Sequence, residues 1–468
     1  MTFNRYAKCL LAVWLGASAA AGAADTRPAS TQASMPGPQQ SEASQPSRRT
    51  IHVSDVRQLR EALAGIRAGT TLLIAPGSYA GGLGIKDVLG WPDAPIIISG
   101  SDPNDPPVFT GGTDGIKLSR CGYVKLSSMV FKDARDNGVH VDDGGDRDLP
   151  SHHILIEDVT VLNTGPQGNH DALKISGLMD FVVRRCRFEG WGGSGFDAVG
   201  CHLGVIEGCR FLGRPGFRQK NAIQIKGGSS SILVQTCFFH NVGERAVCIG
   251  GSTGLEFFRP AVTDYEARNI TVAGCRFVGG EAHVAWITSQ GGYVHHNIFC
   301  MPEKWVLRIL QESEDRRFKP CGGGVFEDNL VVTDGRPSAF VGVGPRTAPA
   351  SFQFRHNAWH SAGPANRPDL PAREAEGVYD VDPQLLDPGT ERMRIGSAEA
   401  RLEGIGPRAY VPWRQERDFA EVSIPPYRPK PDASGQAMPA NLILYALLAV
   451  AVLVALVVKL RRRAERES

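Results

Sequence analysis

The sequence predicts an all-β chain wound as a single-stranded parallel β-helix, a solenoid of short strands. Three observations predict it: one phrase recurs, its spacing drifts, and its residues favour strands. The phrase is an apolar residue, two variable ones, a small or amide-bearing residue, a variable position and a bulky apolar. It reads Val183 to Phe188 around Cys186, Ile206 to Phe211 around Cys209, Val234 to Phe239 around Cys237, and Val272 to Phe277 around Cys275. It continues around Asn297, Asn329 and Asn357, and two looser rungs at Met129 and Val159 precede it. A unit that cannot bury its own apolar face is covered by its neighbours in a stack. Between fourth positions the steps are 30, 27, 23, 28, 38, 22, 32 and 28 residues. Coils of strands absorb such drift, because the extra residues leave the stack as loops. The rungs alternate Val, Ile and Phe with polar residues and are bounded by Gly, Asn and Asp.

Taken from the N-terminus, residues 1–23 read as a secretory signal, with Arg5 and Lys8, an apolar stretch from Cys9 to Ala20 and a small-residue Ala21-Gly22-Ala23 cleavage pattern. Residues 24–50 are rich in Ser, Gln, Pro and Ala and read as a disordered linker. The solenoid occupies 51–361. Its ladder of Cys and then Asn is expected to stack inside, the thiols as small buried hydrophobes and the amides hydrogen-bonding from coil to coil. Cys300 and Cys321 lie outside that column and are the candidates for a disulfide in an oxidising compartment. Residues 362–422 form a C-terminal cap region and 423–440 a Pro-rich stalk. Residues 441–459 read as a transmembrane helix built on the 17-residue apolar run Leu442 to Val458, and 460–468 as a basic tail. The positive cluster Arg461 to Arg463 sets the C-terminus in the cytoplasm and the bulk of the chain outside, with the lipid bilayer as one partner.

A second strand series follows each rung, from Gly115 to Ser119, Gly138 to Asp142, Ala172 to Ser176, Asp197 to Cys201, Ala222 to Lys226, Ala246 to Gly250, Val284 to Thr288 and Val306 to Leu310. Alternation across a strand sends its second and fourth residues inward. One outward file is then expected to hold Lys117, His140, Lys174, Gln224, Trp286 and Arg308, and the next Asp142, Lys226 and Thr288. Three long excursions, Asp142 to His152, Gly250 to Arg268 and Gln311 to Gly324, leave just after this strand and should wall one edge. Thr164 to His170 and Gly213 to Lys220 should wall the other. A floor of polar and cationic groups between two rows of loops suits an extended polymer. With 51 basic and 49 acidic residues the chain has no global basic field, which argues against nucleic acid.

The segment from Val56 through Pro76-Gly77-Ser-Tyr79, an amphipathic helix leading into a first strand, resembles the N-terminal cap of the pectin-lyase-like right-handed parallel β-helix superfamily. Asp380 to Gly404 resembles its closing cap, and the resemblance spans roughly Ile51 to Gly406. Within it, Ala222-Ile-Gln-Ile-Lys226 followed by Gly243-Glu-Arg245 is similar to the chondroitinase B and alginate lyase type. That resemblance implies an acidic polysaccharide as partner and β-elimination at uronate residues. Lys226 would be the base and Arg245 would assist at the bridging oxygen. From the groove itself, Arg308, Lys174, His140 and Trp286 on the floor, Asp171 and Asp197 on neighbouring coils and Arg259 in the largest loop are the candidate substrate contacts.

Removing the proton at C5 of a uronate requires its carboxylate to be neutralised, which a cation-rich site does. That family holds calcium on carboxylates before its Lys, where this chain has Gln224, so no cofactor is implied there. Asp142-Asp143-Gly-Gly-Asp146-Arg-Asp148 is the other stretch with oxygen ligands enough for calcium. Asn169-His-Asp171-Ala and Gly195-Phe-Asp197-Ala resemble the aspartate motifs of polygalacturonase-type hydrolases, in which two carboxylates serve as acid and base. A non-catalytic glycan-binding or envelope β-helix is the remaining alternative, and a monomer is expected. His152-His153 and His295-His296 are adjacent strand residues, so their rings are expected on opposite sides.

Overall fold

In the computed structural model, residues 48–413 are described apart from 338 and 364–366. The stretches expected to be signal, stalk, transmembrane helix and basic tail, most of the expected linker and the last residues of the expected cap region lie outside these residues. Among the described residues no helix is long and apolar enough to cross a membrane.

Every named strand pairing is parallel, and the strands fall into three series. The first sheet runs from Leu83–Leu89 through the start of the long strand Ile116–Lys132, then Val139–Asp142, Leu173–Ser176, Ser194–Val199, Asn221–Lys226, Arg245–Gly250, Ala282–Ile287 and Trp305–Leu310 to Val341–Val343. The second begins with Arg49–Val53 on Thr70–Ile74, so the solenoid starts inside the stretch expected to be linker. The third carries the bulky end of each rung. Pairing continues past 361, with Glu374–Ala375 on Gln353–Arg355 and Val378–Tyr379 on Ala358–Ser361.

The rung phrase works because of one backbone feature. The residue before each ladder position is left-handed: Arg185 (φ 54), Gly208 (φ 59), Thr236 (φ 53), Gly274 (φ 64), His296 (φ 54), Asp328 (φ 55) and His356 (φ 49). That conformation turns the chain from the second sheet to the third, leaving the ladder residue inside and its successor in a new strand. Cys186, Cys209, Cys237 and Cys275 are buried there. The amide column follows: Asn297 Nδ2 donates to Asn329 Oδ1 at 2.9 Å and Asn329 Nδ2 to Asn357 Oδ1 at 3.0 Å. Beside it the phenylalanines stack, Phe239 on Phe277 at 4.6 Å between centroids and Phe277 on Phe299 at 4.7 Å. All nine described cysteines are free, so Cys300 and Cys321 do not form the expected disulfide. Cys300 packs in a cluster on the third sheet, whereas Cys321 belongs to the main core.

The N-terminal end is covered, whereas the segment expected to close the other end lies along a side of the solenoid. At the N-terminus the helix Val56–Ala64, capped by Asp55 accepting from the amides of Arg57 and Gln58, buries Leu59 and Leu63. The closing segment packs on a flank: Val381, Met393, Ile395, Leu402 and Ile405 cover Ile298, Leu330 and Ala358, outward residues of the third sheet. From there the chain reaches the second sheet, where Tyr410 donates its hydroxyl to Gln235 at 2.7 Å.

Candidate functional site

The first sheet is the floor of the groove. Pairing places Lys117, His140, Lys174, Asp197, Gln224, Cys248, Ala285 and Arg308 in one file. Asp142, Ser176, Val199 and Lys226 form the next, with Ile287 further along it. Two expected members are corrected. Trp286 points inward, fully buried beside Ile249 and Ile309, and contacts Phe352 edge-on. Its outward neighbours Ala285 and Ile287 are themselves covered, so the strand lacks the alternation that would reveal its phase. Thr288 lies past the strand, where its hydroxyl accepts from the amides of Glu312 and Ser313.

The three long excursions do form one wall. Arg259 Nε sits 2.7 Å from Asp143 Oδ2, Lys319 bridges to Asp264 at 2.8 Å, and Phe258 packs on Phe318. The largest excursion is pinned to the floor by Glu266, which is buried and accepts from the amides of Gly227 and Thr253, each at 2.7 Å. Arg259 therefore latches two loops together, in place of the substrate contact expected of it. On the opposite edge, the Arg218 amide donates to Pro166 O at 2.9 Å and joins the two shorter loops.

Between the walls opens a cleft of about 350 Å³. Lys226, Gln224 and Asn221 line its floor, with Arg245 one coil on; Asn169, Arg218, Lys220, Ser252 and Glu312 line its sides. The cleft thus brings together Lys226 and Arg245 from different coils. Arg245 donates to Glu312 at 2.9 Å, and Lys226 Nζ donates to Gln224 Oε1 at 3.0 Å. Arg308 stands outside this lining. Its guanidinium lies 4.1 Å over the Trp305 ring, against the bare Cα of Gly342, and its buried Nε has no hydrogen-bond partner. Burial and the nearby charge of Arg245 lower its pKa from the ordinary arginine value.

Beneath the cleft runs an alternation of charges. Lys174 Nζ donates to Asp171 Oδ2 at 3.0 Å and to Asp197 Oδ2 at 2.8 Å. Lys226 Nζ lies 3.2 Å from the other Asp197 oxygen, off the direction of a hydrogen bond. Both carboxylates are buried, Asp171 at 0% and Asp197 at 1% exposure. Burial raises the pKa of Asp197, but Lys226 and Lys174 overcome this and lower it; Asp171 is raised by burial and by the charge of Asp197. Lys174, Asp171 and Asp197 thus pair with one another, and the two carboxylates are closed to a ligand while Lys174 stays half-buried. Oxygens sharing one ammonium also stand closer than the roughly 6.5–9.5 Å an inverting hydrolase leaves for its water.

Further along the floor, His140 Nδ1 is 3.3 Å from Asp114 and its Nε2 3.5 Å from Asp142, which also pairs with Lys117 at 2.8 Å. The oxygens of Asp142 and Asp143 are thus engaged by Lys117, Ser119 and Arg259, and they do not fit calcium. Among the described residues no cluster of three or more His, Cys, Asp or Glu is placed to hold a metal ion. The histidine pairs are corrected too: His152 and His153 bring their Nδ1 atoms to 2.9 Å, and His295 and His296 to 2.8 Å. His153 and His296 are left-handed (φ 52 and 54), which turns the second ring back toward the first.

A family model described as a right-handed beta helix region matches residues 114–299. The solenoid is thus of the right-handed parallel β-helix class that the pectin-lyase-like resemblance implies. Similar solved structures include a PL6 family polysaccharide lyase from Pseudopedobacter saltans, 12% identical over 77% of this chain and 100% of that one, TM-score 0.47. An alginate lyase from a Paenibacillus species is 14% identical over 67% and 98% of the two chains, TM-score 0.39. A family 28 exopolygalacturonase from Yersinia enterocolitica is 11% identical over 71% and 78%, TM-score 0.39. At these identities the likeness is one of fold. No curated protein sequence matches.

Proposed function

We propose that this protein acts on an acidic polysaccharide in the groove, by β-elimination at uronate residues. The observation that carries the reading is the cleft that places Lys226 beside Arg245, Lys220 and Arg218 on the floor and sides of an open trough. Cations at that density neutralise a uronate carboxylate and stabilise the enolate-like charge that develops when C5 loses its proton. In this reading Lys226 takes that proton and Arg245 assists at the bridging oxygen. Alginate, pectate and glycosaminoglycans form the panel to test. Ultraviolet absorbance of unsaturated uronates rising on one of them supports the reading, and no rise on any contradicts it.

A binding role without turnover is favoured by a different observation, the engagement of Lys226 by both Gln224 and Asp197. Tight retention of an acidic glycan with no product would select that reading.

We also propose that the chain is exported and held by its C-terminal apolar run, with the groove on the outer face of the membrane. Support comes from the N-terminal signal pattern and from Leu442 to Val458 with its basic flank. Protease added to intact cells should remove the solenoid and spare an epitope placed after Ser468; a protected solenoid contradicts it.

A further inference from the structure

Of the expected substrate contacts, Asp171 and Asp197 are buried and Lys174 is half-buried between them, and their order along the floor gives them a role. The first sheet aligns Lys174 with Asp197 and Asp197 with Gln224, one coil apart each time, and aligns Val199 with Lys226. Asp197 is therefore the residue through which the buried charges meet the cleft. One of its oxygens accepts from Lys174 and the other faces Lys226. Asp171 holds Lys174 from the far side and is itself anchored by the Ser194 amide at 2.7 Å. The quartet is neutral when all four groups are ionised, which is how two carboxylates persist at 0% and 1% exposure.

We infer that Asp197 is a positioning residue that holds the Lys226 side chain against the floor of the cleft until a polyanion enters it. The inference rests on the reading of Lys226 as the group that acts on substrate. Other groups facing Lys226 are Gln224 on its own strand, Cys248 on the next strand, and Gly251 and Ser252 of the wall loop; Arg245 and Glu312 share the cleft. Of these, Asp197 is the carboxylate in direct contact. Glu312 is engaged by Arg245. The arrangement gives Lys226 a defined rotamer and offsets its charge, so that the unliganded cleft is less cationic than its lining suggests. An incoming uronate carboxylate then competes with Asp197 for the ammonium, while Lys174 retains Asp197 and spares it from being left unpaired.

The test is the rate at which Lys226 is acylated by an amine-selective reagent at fixed pH, read by peptide mass spectrometry on the intact protein. Removing the facing carboxylate in Asp197→Asn should free the Lys226 side chain from its strongest contact and speed labelling about tenfold, and Gln224→Leu, which removes the acceptor that Lys226 shares with Asn221, about threefold. The same Asp197→Asn protein, checked as folded by its thermal transition, should bind an oligouronate several-fold more tightly, since the cleft gains net positive charge. A structural role alone predicts weaker binding. Labelling unchanged or slower in both variants overturns the inference. Failure of the lyase reading shows itself separately, as absence of unsaturated product from the wild-type protein while the labelling series still changes.

Discussion

Asn297 Nδ2 donates to Asn329 Oδ1 at 2.9 Å across one coil of the solenoid, and the backbone amide of Asn297 reaches the same oxygen at 3.0 Å. Asn329 passes the pattern on, donating to Val294 O and to Asn357. The Asn329 side chain thus satisfies the backbone and side-chain amides of Asn297 and the Val294 carbonyl of the preceding coil, while its own backbone amide is satisfied by Asn357 Oδ1 of the next.

Replacing Asn329 by Leu should therefore cost about 2–3 kcal/mol, because the donors of Asn297 are left without an acceptor in the core. Cys209→Ala, one column with different chemistry, should cost only about 1 kcal/mol and respond in no way to reducing agent. Urea denaturation of the two variants checks both values. Equal losses would mean that the amide column acts only by filling space.

The ladder was legible in the sequence because its spacing within each rung is fixed by a left-handed corner. Val-Arg-Arg-Cys186 and Phe-Glu-Asp-Asn329 differ in composition but share that corner at Arg185 and Asp328. The groove was legible from where insertions leave the strands. Legibility ended where coils must be set side by side. Trp286 was misplaced because its strand Ala282–Ile287 is buried on both faces, so no alternation marks the inward residues. The pairing of Lys174 with Asp197 depends on register between coils 23 residues apart, which no local pattern reports. His295 and His296 look like strand neighbours, and only the corner at His296 brings their rings together.

Acid should weaken the fold partly through Glu157. Burial alone would raise its pKa, but Lys125 and Arg184 beside it win and lower it from 4.5 to about 2. A carboxyl depressed in the folded state stabilises fully above its unfolded value near 4.5 and loses that stabilisation as pH falls toward 2. The contribution is about 3 kcal/mol. Thermal transitions between pH 6 and 2 should fall less steeply in Glu157→Gln than in the wild type; parallel curves would refute the assignment.

Cutting the latch between the wall loops has a local signature. Arg259→Ala leaves the buried Asp143 carboxylate without its cation and should cost about 3 kcal/mol. Limited proteolysis should then nick the loop between residues 251 and 266 before any rung. Cleavage beginning in the rungs would show that the loop does not depend on Arg259.

Arg308, stacked on Trp305 with an unpaired Nε, is expected to meet a substrate carboxylate beyond the cleft. Arg308→Ala should weaken binding of a long acidic oligosaccharide about tenfold while leaving a disaccharide unaffected. Arg308→Lys should not restore it, since an ammonium lacks the planar fork. Isothermal titration with the two ligand lengths reads the difference; equal losses for both would place Arg308 in the cleft itself.

In the proposed reaction Lys226 takes a proton from a uronate bound beside Arg245. Mass spectrometry of the products from the polymer that responds, for wild type and Lys226→Ala, is the decisive measurement. The expected result is fragments lighter by one water than hydrolysis products, formed by the wild type and at least about a hundredfold more slowly by the variant. Fragments of hydrolytic mass, or an unchanged rate in Lys226→Ala, would contradict it.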